Sequence, residues 1–162
     1  MCGLRPDLQH PTMSLPLIRV LVVEDDFGDY DAVARALKKM TSFDALVTRA
    51  KTLVAARKLM AEHDYDVLLL DFNLGPEFGT RLLEEIGGRG AKSVAILLTG
   101  LANQDVHDAA LRSGAIGMIL KEDLSSTVLE NTIRSSLYTH RLEAAATGVL
   151  DAYISAEKKM AL

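Results

Sequence analysis

Several residue types are scarce in this chain of 162 residues. Tryptophan is absent and aromatic residues make up 5%, so few rings are available to stack on bases or sugars. The single cysteine, Cys2, excludes a disulfide framework within one chain and favours a cytoplasmic location. Lysine and arginine number 18 against 22 acidic residues, giving a net charge of −4. Without a basic excess, we expect no nucleic-acid partner and no membrane partner.

Long hydrophobic runs are also missing. The longest, residues 67–70 and 94–98, fall far short of the ~18 apolar residues that a membrane-spanning helix needs. The N-terminus has no apolar signal-peptide core, and its prolines at positions 6, 11 and 16 disfavour regular structure. We therefore expect residues 1–16 to form a flexible leader.

The chain as a whole is 49% hydrophobic and 25% charged, which is ordinary for a globular protein. Short apolar stretches alternate with amphipathic ones, and this alternation predicts a doubly wound parallel sheet of α/β class, with helices on both faces. The predicted strands are 18–23, 45–48, 66–70, 93–98 and 115–120, and the predicted helices are 31–40, 52–63, 80–86, 104–113 and 125–141.

Polar residues follow four of these strands. The first strand runs into Glu24, Asp25 and Asp26, and the third, fourth and fifth are followed by Asp71, Thr99 and Lys121. In such sheets the ligand site lies at the carboxyl ends of the strands, so we expect these side chains to meet there.

The chemistry of these groups suits phosphoryl transfer. Clustered carboxylates repel one another unless a cation neutralises them, and Mg²⁺ prefers their oxygens. A carboxylate can also attack phosphorus to give an aspartyl phosphate, and Asp71 is the best-placed candidate. Thr99 would donate a hydrogen bond and Lys121 would offset charge on the phosphoryl oxygens.

Each residue also has a simpler interpretation on its own. Asp71 is compatible with a turn cap, Thr99 with a helix cap and Lys121 with a surface lysine. The four histidines show no ligand spacing. The glycines at 28, 75 and 79 are typical of turns, because no dinucleotide-binding glycine pattern follows the first strand.

Four short stretches, taken together and in order, carry a resemblance to a known family. They are LVVEDD at 21–26, LLLDFNL at 68–74, LLTG at 97–100 and GMILK at 117–121. In this order they resemble the receiver domain of two-component response regulators, from about residue 18 to residue 141. The stretch 24–29 is similar to that of phytochrome-associated and hybrid-kinase receivers. The resemblance implies a flavodoxin-like sheet in the order 2-1-3-4-5, with helices one and five on one face.

The resemblance also implies roles for individual residues. A sensor histidine kinase or phosphotransfer protein would supply the phosphoryl group, and Mg²⁺ would be the cofactor. The implied residues are Asp71 as phosphoacceptor, Thr99 as switch hydroxyl, Lys121 as phosphate contact, and Glu24, Asp25, Asp71 and the backbone carbonyl of Asn73 as metal ligands.

Two positions depart from the family pattern. Met118 stands where many receivers have Tyr or Phe, which leaves the usual coupling between threonine and an aromatic ring in question. Glu122 follows the lysine where proline is usual. A cis bond before a residue other than proline costs ~2.5–4 kcal/mol.

After Arg141 the resemblance ends, and we interpret 17–141 as the receiver domain and 142–162 as a helical extension. Apolar residues recur there at alternating spacings of four and three, as in a coiled coil. This pattern favours a homodimer through the extension, as an alternative to one through the face of helix four, strand five and helix five. The seam residues are Leu142, Ala146, Val149, Tyr153, Ala156 and Met160.

These observations predict a single-domain response regulator that is a phosphoacceptor, not an enzyme, and that signals through protein contacts. One alternative is an adaptor that keeps the fold and signals without phosphorylation. Another is a haloacid-dehalogenase-type phosphatase. Its nucleophile normally follows the first strand and is followed two residues later by a second Asp, where this chain has Asn73.

Overall fold

The computed structural model describes residues 14–87 and 92–161. Its strands are β1 (Leu17–Val23), β2 (Asp44–Ala50), β3 (Val67–Asp71), β6 (Val94–Thr99) and β7 (Gly117–Leu120), with a separate hairpin of β4 (Asn73–Leu74) and β5 (Glu77–Phe78). The first five form a parallel sheet in the order β2-β1-β3-β6-β7. Numbered without the hairpin strands, this is the predicted order 2-1-3-4-5, so the fold class predicted from the sequence is confirmed. The expected leader lies mostly outside the described residues.

Helices cover both faces of this sheet. They are α1 (Phe27–Lys38), α2 (Leu53–Glu62), α3 (Gly79–Glu85), α4 (Gln104–Ser113) and α5 (Ser126–Met160). One hydrophobic core lies between the sheet and α1 and α5, and a second lies between the sheet and α2, α3 and α4. The central strands are apolar on both sides, and every residue of β3 and β6 is buried.

Short polar residues fix where four helices begin. Asp26, Thr52, Asn103 and Ser125 each accept a hydrogen bond from the backbone N–H three residues later. Gly114 ends α4 with a φ of 90°, a left-handed conformation that glycine adopts without strain. The Asp26 cap starts α1 at Phe27, four residues before the predicted start, because apolar spacing alone does not locate a cap.

One further element differs from the sequence prediction. Residues 73–78 form the β4–β5 hairpin around Gly75, whose φ is 67°, where only a loop was predicted. The predicted helical extension is confirmed, because α5 continues past residue 141 without a break to Met160. No helix in the described part of the chain is long and apolar enough to cross a membrane.

The two ends of α5 have different surroundings. Leu129, Ile133 and Ser136 are buried against the sheet. In contrast, every residue from 144 to 160 is exposed. We call residues 142–160 the distal segment. Its large apolar side chains include Val149, which is 71% exposed, and Tyr153, which is 61% exposed.

Candidate functional site

Three carboxylates meet at the carboxyl edge of the sheet. Glu24 and Asp25 follow β1 and Asp71 ends β3, and these two strands are neighbours. One oxygen from each carboxylate lies within 4.8 Å of the others. We call these three residues the acidic cluster. Glu24 and Asp71 are buried, whereas Asp25 is exposed, so the cluster opens to solvent on one side.

Lys121 joins this cluster from the end of β7. Its Nζ lies 3.1 Å from Glu24 Oε2, 3.2 Å from Asp71 Oδ2 and 2.7 Å from Asp29 Oδ2. An ammonium group has three N–H donors, and three carboxylates face it here. The lysine therefore offsets part of the negative charge that the acidic cluster brings together.

Burial and charge shift the acid–base properties of this group of residues. Burial, reinforced by the charge of Asp71, raises the pKa of Glu24 to about 7, against the opposing hydrogen bond from Lys121. Burial alone would lower the pKa of Lys121, but hydrogen bonds to Asp29 and Glu24 outweigh it and raise that pKa above its ordinary value. The lysine is therefore a permanent cation in this site.

Asp71 is also held by the backbone that follows it. Its Oδ1 accepts a hydrogen bond of 3.2 Å from the N–H of Asn73. Gly79 packs against the same segment, since a Cβ at this position would lie 2.3 Å from the carbonyl oxygen of Asp71. The role of the Asn73 carbonyl as a metal ligand stays a prediction. The sequence interpretation of Gly79 as a turn residue did not anticipate this close approach.

Thr99 ends β6 on the other side of Asp71. It is buried, and its Oγ1 accepts a hydrogen bond of 3.0 Å from the N–H of Leu101. The same hydroxyl lies 3.4 Å from the carbonyl oxygen of Leu101. In this conformation the hydroxyl is engaged with the loop after β6. The predicted switch requires it to leave that loop for the phosphoryl group.

The structure shows the surroundings of Met118 and the peptide bond before Glu122, the two positions that depart from the family pattern. Met118 lies on β7, packs against the core under α4 and lines a groove of about 210 Å³ beside α4. The Lys121–Glu122 peptide bond is trans, as are the others among the described residues. Lys121 therefore reaches the acidic cluster without a cis bond.

The sequence interpretation missed two charged residues at the site. Arg49, on β2, donates hydrogen bonds of 3.2 Å to the carbonyl oxygen of Glu24 and 3.0 Å to that of Asp25. Its guanidinium lies 4.8 Å from the ring centre of Tyr30 and 5.7 Å from that of Phe27. Arg49 therefore fixes the loop that presents two of the three carboxylates. Only the pairing of β1 with β2 brings it there, so local sequence carried no signal for it.

Asp29 is the second missed residue. It lies in the first turn of α1, and 92 positions separate it from Lys121, to which it gives the shortest contact. A signal for it did exist, because it lies on the turn of helix that follows the acidic run. That turn faces the same edge of the sheet.

The arrangement as a whole suits a hard cation. Three carboxylates converge, so the ligand atoms that they offer are oxygens, and one side of the acidic cluster is open to solvent. Mg²⁺ takes oxygen ligands and usually keeps several waters, so this donor set fits it. Next to these oxygens, a buried carboxylate and an ammonium group can hold a phosphoryl group between opposite charges.

Comparison with known proteins agrees with this geometry. Residues 20–134 match the response regulator receiver domain family. Over 105 residues the chain is 30% identical to the transcriptional regulatory protein MalR of Bacillus subtilis, covering 65% of the chain and 44% of MalR. The chain thus spans less than half the length of that relative.

Solved structures of receiver domains share the fold of this chain. The receiver domain of the response regulator NarL from Mycobacterium tuberculosis superimposes with a TM-score of 0.67 at 24% identity, covering 76% of this chain and 98% of that one. A CheY-like receiver domain protein from Methanospirillum hungatei superimposes with a TM-score of 0.65 at 25% identity, covering 80% and 99%.

Proposed function

Because the chain belongs to the response regulator receiver domain family, we propose that Asp71 accepts a phosphoryl group from a phosphohistidine. The donor would be a sensor histidine kinase or a phosphotransfer protein. The observation that carries this proposal is the placement of Asp71. It is a nearly buried carboxylate that lies 3.2 Å from a lysine ammonium and within 4.8 Å of two further carboxylates.

The transfer itself needs little covalent chemistry from the chain. An oxygen of Asp71 attacks phosphorus, the bond from phosphorus to the imidazole nitrogen breaks, and its electron pair stays on that nitrogen. Lys121 lies close enough to donate to an oxygen of the transferred group. Thr99 would donate another hydrogen bond after turning away from Leu101.

We propose Mg²⁺ as the cofactor, held by Glu24, Asp25, Asp71 and the backbone carbonyl of Asn73. When bound, the ion neutralises charge on the carboxylates and on the phosphoryl oxygens. The residues of the chain position that charge. Arg49 holds the loop carrying Glu24 and Asp25, and Gly79 keeps the backbone of Asp71 in place.

In this proposal the chain is a cytoplasmic signalling protein and a phosphoacceptor that assists its own phosphorylation and dephosphorylation. The phosphoryl group carries about −1.5 to −2 charges in place of the single negative charge of the Asp71 carboxylate. Movement of Thr99 would pass that change to the groove beside α4 and to partner proteins. Such coupling would act through Met118, because no aromatic ring occupies that position.

Intact mass after incubation with acetyl phosphate and Mg²⁺ tests the proposal. We expect a gain of one phosphoryl group that disappears in Asp71→Asn and when Mg²⁺ is chelated. Asp64→Asn is the matched control, because Asp64 is exposed and precedes β3 at the opposite edge of the sheet. A phosphoryl gain that survives in Asp71→Asn would contradict the assignment. No gain, together with no Mg²⁺ binding, would favour the phosphorylation-independent adaptor.

We further propose that the distal segment of α5 pairs with the same segment of a second copy. Nineteen residues of helix extend for about 28 Å at ~1.5 Å per residue, and their seam is apolar. The positions that flank this seam and set partner choice in coiled coils are Glu143, Ala145, Leu150, Ala152, Glu157 and Lys159. The three in the middle of the seam are uncharged, so no charge there repels an identical chain, and we propose self-association as the pairing.

Light scattering on the full chain tests this pairing. Val149→Asp together with Tyr153→Asp places charge on the seam, and we expect the dimer to become a monomer. Thr147→Asp together with Ser155→Asp is the control, because it introduces the same charge on the helix away from the seam. A wild-type monomer at all concentrations would contradict the pairing. A dimer that resists the seam variant would favour the face of α4, β7 and α5 instead.

A further inference from the structure

We propose that Asp29 competes with the phosphoryl group on Asp71 for Lys121 and thereby weakens the phosphorylated state. This inference rests on the proposed function, because it concerns the same lysine and the same phosphoacceptor. It assigns Asp29 as a positioning residue that acts through Lys121.

The geometry gives Asp29 the strongest hold on the lysine. Lys121 Nζ is 2.7 Å from Asp29 Oδ2, compared with 3.1 Å to Glu24 and 3.2 Å to Asp71. A hydrogen bond between ionised groups at the shorter distance is the stronger one. To donate to a phosphoryl oxygen, Lys121 must give up or stretch one of these contacts.

The three carboxylates differ in what phosphorylation does to them. Glu24 and Asp71 belong to the acidic cluster and would face a bound cation. The metal-holding set does not include Asp29, so its charge stays directed at Lys121. Asp29 is therefore the carboxylate that still pairs with Lys121 when the phosphoryl group is transferred to Asp71.

The start of α1 explains why Asp29 is available for this contact. An acid at the third helical position often reaches back to the N–H of the capping residue. Here the N–H of Asp26 is taken by Glu24 Oε1 at 3.1 Å and by Asp25 Oδ1 at 3.0 Å. The side chain of Asp29 is thus left to turn toward Lys121.

Charge gives the sign of the effect. The phosphoryl group places about −1.5 to −2 charges where Asp71 had a single one, in a site that already contains other carboxylates. Asp29 adds another negative charge and occupies part of the Lys121 ammonium group that faces Asp71. Replacing Asp29 with Asn keeps the size of the side chain and removes the charge. We therefore expect the replacement to stabilise the phosphorylated state.

The probe is beryllofluoride, a non-covalent mimic of a phosphoryl group, titrated into the full chain at saturating Mg²⁺ and followed by fluorine NMR. Asp29 is about half exposed and its ion pair is partly screened. Because partly exposed ion pairs interact weakly, we expect a modest effect: Asp29→Asn should bind beryllofluoride about threefold more tightly than the wild type. Asp29→Glu, which restores the carboxylate, should return to the wild-type affinity.

Asp31→Asn is the matched control. Asp31 lies on the same helix and pairs with Arg35, so its removal should leave probe affinity unchanged. The lifetime of the acyl phosphate is the second readout. Water attacks phosphorus, the bond to Asp71 oxygen breaks and the carboxylate re-forms with inorganic phosphate. We expect Asp29→Asn to lengthen that lifetime by a similar factor.

The outcomes separate this inference from the proposed function. If the wild type binds beryllofluoride but Asp29→Asn binds equally or more weakly, competition is wrong and the receiver function stands. If Asp29→Asn and Asp31→Asn tighten binding alike, the effect is general charge and the specific role of Asp29 is overturned. If the wild type neither binds the probe nor becomes phosphorylated, both proposals fail together.

Discussion

The sheet with its packed helices and the distal segment of α5 are held in different ways. In the sheet domain, contacts between residues far apart in sequence bring the charged side chains of the site together, as between Lys121 and Asp29, 92 positions apart. In the distal segment, the side-chain hydrogen bonds described run between neighbouring turns, as from Thr147 to Glu143 and from Tyr153 to Glu157. A substitution should therefore have a large effect in the first region and a small one in the second.

The largest expected difference is between two apolar residues of the same helix. Leu129 is fully buried against the sheet, whereas Ile154 is 40% exposed. We expect Leu129→Ala to lower the free energy of unfolding by about 2–5 kcal/mol through lost burial and the cavity it leaves. Ile154→Ala should change it by less than ~0.5 kcal/mol. Urea denaturation followed by circular dichroism measures both. Equal effects would show that the distal segment packs like the rest of α5.

Removing the lysine of the site should have the next largest effect. Lys121→Met leaves buried Glu24 and Asp71 without their cation. We expect a loss of about 2–3 kcal/mol in unfolding free energy when no divalent ion is present, below the value for a fully buried pair. The reduction reflects the 24% exposure of the lysine side chain. Added Mg²⁺ should restore part of the loss. Lys38→Met, on the exposed side of α1, is the control. A variant as stable as that control would mean that the acidic cluster needs no neutralisation.

Two glycines sharpen the same contrast. A Cβ at Gly79 would meet the backbone of Asp71 at 2.3 Å, whereas a Cβ at Gly148 meets nothing within 4 Å. We expect Gly79→Ala to destabilise the chain by about 1–3 kcal/mol and to slow phosphorylation by displacing Asp71. Gly148→Ala should instead favour the distal helix by up to ~1 kcal/mol. Denaturation and far-ultraviolet helicity report the two effects. Loss of stability in both variants would contradict the difference between the regions.

The smallest expected effect concerns the contact that ties α5 to the loop after α1. Glu130 accepts hydrogen bonds from the backbone N–H groups of Ser42 at 2.7 Å and Thr41 at 3.3 Å. Hydrogen bonding from the Ser42 side chain, together with these backbone bonds, lowers the pKa of Glu130 in the folded chain. The stabilisation is therefore present above the ordinary carboxyl pKa and is lost as the pH falls through the lowered one.

The measurement is the difference in Tm between the wild type and Glu130→Gln, which should be larger at about pH 7 than at about pH 3. Glu62→Gln, exposed at the end of α2, is the control. A pH-independent difference would mean that Glu130 acts by shape and not by charge.

Local pattern explains which parts could be predicted from sequence. The apolar runs of β1, β3 and β6 predict buried parallel strands, and the polar residue after each strand predicts the site, because the fold brings strand ends together. The roles of Asp29 and Arg49 could not be predicted in this way. Each depends on which strand or helix lies beside which, and on where a long side chain reaches once the sheet has formed.

The helical extension of α5 was predicted from local apolar spacing and not from the family resemblance. Family resemblance ends near Arg141, and the apolar spacing beyond it predicted a helical segment. That the helix continues without a break into the distal segment is a property of local hydrogen bonding, which the resemblance does not include. The hairpin of β4 and β5 escaped prediction because two-residue strands carry no periodicity.

The central claim is that Asp71 carries the phosphoryl group, and borohydride trapping tests it most directly. After incubation with acetyl phosphate and Mg²⁺, borohydride reduces an aspartyl phosphate to homoserine, which peptide mass spectrometry locates. The account predicts homoserine at position 71 and unmodified Asp at positions 25, 26 and 29. Homoserine at another of these positions, or phosphorylation on a side chain that borohydride does not reduce, would contradict it.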